Sequence, residues 1–72
     1  MTYQELKELT KGQTLPLSGK NNSGENVIVE HRTTKQGQQY FQLTTAQHNG
    51  WTRTNYIYED GSTDELYSKR GG

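Results

Sequence analysis

Apolar positions recur along this chain with two different periods. Near the start, Tyr3, Leu6 and Leu9 lie on one helical stripe. Thr2-Tyr3-Gln4-Glu5 has capping-box spacing, in which a hydroxyl and a carboxylate three residues apart satisfy each other's free backbone N–H groups. Gly12 after Lys11 supplies a stop. The spacing predicts an amphipathic helix over residues 3–11, too short to persist alone and therefore packed on something. Thr14–Ser18 reads as a short extended piece; Pro16 lacks a donor N–H, so the piece belongs at an edge or leads into one. Residues 19–25 are a loop by composition.

From residue 26 the period falls to two. Strands are expected at 26–34, with Val27 and Val29; at 38–47, with Tyr40, Phe41 and Leu43; and at 51–59. Lys35-Gln36-Gly37 fits a three-residue hairpin loop, and Asn49-Gly50 is read as a two-residue type I′ turn. Pairing Thr34 with Gln38 sets Val29 opposite Leu43 and Val27 opposite Thr45. Pairing His48 with Trp51 sets Leu43 opposite Tyr56 and Phe41 opposite Tyr58. The predicted core face is Val27, Val29, Phe41, Leu43, Thr45, Tyr56 and Tyr58, covered by Leu6 and Leu9. Asp60-Gly61 signals another turn. Residues 62–70 read as one more strand, with a helix as the competing reading because Ser62-Thr63-Asp64-Glu65 repeats the capping-box spacing.

The fold expectation is α+β: a short N-terminal helix packed on an antiparallel β-meander of three to five strands. The alternative is a small SH3-like five-stranded barrel with the helix appended. One domain spans residues 1–70, with Gly71-Gly72 as a flexible tail. Arg70-Gly71-Gly72 resembles the ending of ubiquitin-like modifiers, which implies an activated C-terminal carboxylate. The resemblance covers those three residues, and such families open with a hairpin where this chain opens with a helix.

Composition narrows the function classes. The chain has 72 residues, eight basic and eight acidic, and no cysteine. That leaves no disulfide and no thiolate for catalysis or zinc. With 26% hydrophobic residues and a mean hydropathy of −1.18, the core must be thin. Val27–Val29 is the longest apolar run, so no membrane helix is expected. No signal peptide is read at the start, and a cytoplasmic location is the expectation. A net charge of zero carries no basic footprint for nucleic acid.

The face opposite the predicted core carries the candidate chemistry. The same register collects Arg32, Tyr40, Gln42, Trp51, Arg53 and Asn55 there. Aromatics and arginines among amides are the mixture that anchors protein interfaces. The expectation is a small non-catalytic protein-binding module of the accessory, regulatory or phage-type inhibitor kind. Nucleic-acid binding is the alternative, with aromatics stacking on bases and arginines on phosphates. A homodimer through an open face or edge is compatible with either. No cofactor or metal is implied. His31 and His48 read as a sheet-rim and a turn histidine, and Glu59, Asp60, Asp64 and Glu65 as a solvated turn. The chain shows no phosphate loop and no nucleophile elbow, so no enzyme activity is expected.

Overall fold

The computed structural model describes residues 2–69. The chain forms a helix, α1 (Tyr3–Leu9), and five strands: β1 (Leu17–Lys20), β2 (Asn26–Thr33), β3 (Gln39–Ala46), β4 (Trp51–Tyr58) and β5 (Thr63–Lys69). The strands pair antiparallel in chain order, β1-β2-β3-β4-β5. This is the expected helix on a meander, and the ambiguous C-terminal segment is a strand. β1 and β5 stand at opposite edges, so the barrel alternative is not closed. The expected Gly-Gly tail lies outside the described residues.

The capping box forms as its spacing predicts. Thr2 Oγ1 accepts from Glu5 N at 3.1 Å, and Glu5 Oε1 accepts from Thr2 N at 3.3 Å. The helix stops at Leu9, two residues early, where Thr10 Oγ1 donates to the Leu6 carbonyl at 2.8 Å. Two turns of helix cover only one end of the sheet. Leu6 and Phe41 are 3% and 2% exposed, Ile57 completes the buried cluster, and Tyr3, Leu15, Val29 and Leu43 pack against it. Leu9, expected to help cover the sheet, is 61% exposed. Leu15, from the lead-in to β1, packs on the cluster instead.

Four hairpins close with one form of turn. In each, the residue before a three-residue loop donates its N–H across the loop and accepts from the glycine that ends it: Asn21 with Glu25, Thr34 with Gln38, Gln47 with Trp51, and Tyr58 with Ser62. Among the described residues positive φ is confined to glycines. A type I′ turn at Asn49-Gly50 would require positive φ at both residues. Asn49 does not adopt it, whereas Gly50 does, at φ 88°. The loop is therefore His48-Asn49-Gly50, one residue longer than expected.

That extra residue turns β4 over. β2 and β3 pair in the expected register, with Val29 opposite Leu43 and Val27 opposite Thr45. In the next pair, Phe41 meets Ile57 and Leu43 meets Asn55, not Tyr58 and Tyr56. The face under the helix thus carries Val27, Val29, Phe41, Leu43 and Thr45 as expected, joined by Ile57, Asn55, Arg53 and Trp51. Tyr56 and Tyr58 lie on the outer face, a correction to the predicted core.

Candidate functional site

The register divides the six candidate residues into two groups. Arg32, Tyr40 and Gln42 lie on the outer face, which α1 does not cover. Trp51, Arg53 and Asn55 lie on the helix side. The single outer-face site expected from the sequence is therefore two surfaces.

On the outer face, Tyr40 gains two aromatic neighbours. Its ring centroid lies 5.2 Å from that of Tyr58 and 5.9 Å from that of Tyr56. Arg32 pairs across the strands with Tyr40, and Gln42 with Tyr56. Ile28 and Leu66 are exposed on the same face.

The helix side is covered at one end and open at the other. Beyond Leu6 the sheet floor continues through Leu43 and Val29 to Val27, Thr45 and Arg53. Together with Leu9 and Leu17 these form an open groove of about 370 Å³. Its walls are mostly aliphatic, and the charged side chains lining it are Lys20 and Arg53, both basic. Arg53 Nε is buried and has no hydrogen-bond partner. Tyr67 stands opposite Arg53 on β5, and Trp51 lies two residues away on the same face. Trp51 is 40% exposed and Tyr67 51%. The sequence reading missed Tyr67 because nothing local assigned a face to the last strand.

The open end is fastened by polar groups. Glu25 accepts from Asn21 Nδ2 at 2.9 Å and from the His48 backbone N–H at 3.2 Å, linking the first and third hairpin turns. His48 Nε2 lies 3.0 Å from the Ser23 carbonyl. The Asn21 hydrogen bond, aided by the His48 N–H and the charges of His48 and Arg53, holds the Glu25 carboxyl below the usual carboxylate range. At the opposite end the Tyr3 hydroxyl lies 2.9 Å from His31 Nε2 and donates to Gln39 Oε1 at 3.1 Å. Burial, with the charge of Glu59 second, pushes the Tyr3 phenol up. The two histidines thus sit at opposite ends of the sheet, each in a structural bond.

The acidic group around the last turn is dispersed. Glu59 accepts from Gln39 N, Asp60 accepts from Ser62, and Asp64 and Glu65 point to opposite faces of β5. Among the described residues no three His, Asp or Glu side chains gather where they could hold a metal ion, and no helix is long and apolar enough to cross a membrane. The chain matches no family model, no curated protein and no solved structure.

Proposed function

We propose that this protein is a small non-catalytic module that binds another protein through the open half of its helix-side face, with Trp51, Arg53 and Tyr67 as anchors. The observation that carries this reading is the buried Arg53 Nε without an acceptor, set in the floor of an aliphatic groove. A buried N–H left unpaired costs on the order of 1–3 kcal/mol. A partner carboxylate that draws the Arg53 side chain out of the floor would recover that cost, while its apolar neighbours fill the groove. Two exposed aromatics beside an arginine supply the residue types that dominate interface energetics. Lys20 as the other charged group on the groove favours an acidic segment with apolar flanks.

The test compares capture from lysate by the wild type, Trp51→Ala and Arg53→Leu, each checked for its melting temperature and repeated after nuclease treatment. A protein captured by the wild type and lost from both variants, at unchanged melting temperature and with nuclease present, is the expected result. Full capture by both variants overturns the assignment of the face. Capture that nuclease abolishes replaces the reading with nucleic-acid binding.

A further inference from the structure

The two edges of the sheet are built differently. β1 has four residues, follows Pro16 and contains Gly19, all features that blunt an edge. β5 has seven residues and no proline, and every one of them is exposed. Tyr58 donates its N–H to the Ser62 carbonyl, which makes the two a hydrogen-bonded pair. Along antiparallel strands such pairs alternate, so Asp64, Leu66 and Ser68 bond to β4. Thr63, Tyr67 and Lys69 are left with N–H and C=O groups directed to the free edge, as is the Glu65 C=O, while the Glu65 N–H donates to Asp64 Oδ1 at 2.8 Å, a local bond that a second strand would displace.

We propose that β5 is a homodimer interface, in which two copies pair antiparallel about Tyr67 and continue the sheet across a twofold axis. The register follows from charge. Glu65 and Lys69 lie two residues either side of Tyr67, on the same face of the strand. Centring the pair on Tyr67 places Glu65 of each copy opposite Lys69 of the other, twice by symmetry. Centring on Glu65 or Lys69 sets like charges opposite each other, which is unfavourable. Centring on Leu66 leaves both charges unmatched. The Tyr67 register also matches the backbone, because the groups directed outward at Glu65, Tyr67 and Lys69 meet partners on the second copy. The edge charges that would deter indiscriminate pairing thus select one partner and one register.

The dimer would also enlarge the groove surface. Tyr67 stands beside Arg53, so the axis would bring Arg53, Tyr67, and Tyr67 and Arg53 of the second copy into one row across the joined sheets. This inference stands apart from the proposed partner binding, because its readout is the mass of the protein alone.

Sedimentation equilibrium of the full chain over a range of concentrations tests it. The expected mass is about twice 8.2 kDa at high concentration. Glu65→Lys and Lys69→Glu, each folded by circular dichroism, should sediment as monomers, since each reversal makes both symmetric pairs repulsive. The double variant E65K/K69E should regain the dimer. A wild type that stays monomeric at every concentration overturns the proposal. A dimer indifferent to both single reversals also overturns it, and directs attention to the outer face.

Discussion

The two ends of the helix-side face are held by different forces. At one end Tyr3, Leu6, Leu15, Phe41 and Ile57 exclude water, and the buried core lies there. At the other end Asn21, Ser23, Glu25 and His48 join two hairpin turns through hydrogen bonds at the solvent boundary. Apolar burial is the dominant favourable term in folding, whereas each such hydrogen bond replaces one to water and contributes little net. The comparison shows how a chain with a thin core can leave surface open: stability is concentrated under two turns of helix, and the other half of the face stays available.

The largest test of that division is Phe41→Ala against Trp51→Ala. The first removes the most buried ring in the molecule and should cost about 3–5 kcal/mol, enough to unfold a domain of this size. The second removes a partly exposed ring at the open end and should change stability by roughly 0.5 kcal/mol or less. Urea denaturation checks both. Equal losses would mean that the open end carries core energy.

Gly50→Ala is the next step down. Its φ of 88° is open to glycine and strained for alanine, while no atom lies within 4 Å of the added Cβ. The expected cost is about 1–2 kcal/mol, from backbone strain alone, read in the same denaturation assay. A neutral substitution would show that the His48-Asn49-Gly50 turn relaxes freely.

The smallest effects are those of pH, with Glu25 the acid-side group of the open end, Tyr3 the alkaline-side group of the core end, and Asp60 an acid-side group at the Tyr3 end. Glu25 is held below its ordinary range, so its contribution is present above roughly pH 4 and is lost as pH falls through its folded-state pKa. Asp60, lowered chiefly by its bonds to Ser62, acts in the same direction. Tyr3 is raised, so its contribution is intact below about pH 10 and is lost as pH rises through its folded-state value. Melting curves across pH should show Glu25→Gln reducing the acid sensitivity and Tyr3→Phe reducing the alkaline sensitivity. An acid profile unchanged in Glu25→Gln would place the acid-sensitive group elsewhere, with Asp60 the first to examine.

Much of the architecture was legible in local patterns. The capping box, the helical stripe and the Lys35-Gln36-Gly37 loop each state their geometry within a few residues. The orientation of β4 was not legible. Its alternate residues are Trp, Arg, Asn and Ile on one face and Thr, Thr, Tyr and Tyr on the other. Neither set is clearly apolar, so the hydrophobic pattern could not correct a misread turn. Asn-Gly is favoured in a two-residue turn, yet it also serves as the last two positions of a three-residue loop ending in positive φ. That single choice moved Trp51, Arg53 and Asn55 away from Arg32, Tyr40 and Gln42. Leu9 was misjudged for a different reason: periodicity reports which residues share a stripe, but not how far the stripe extends over its partner.

The shared turn has an arithmetical consequence. A three-residue loop separates two paired residues by an even number of positions, so crossing it preserves parity. Repeated four times, it gives the sheet one rule: odd-numbered residues of every strand face the helix side, and even-numbered residues face away. The fold is therefore phase-locked along its length. Inserting one residue while the turn keeps its three-residue length would shift the register by one and exchange the two faces of every later strand, whereas inserting two would leave the assignment of faces intact.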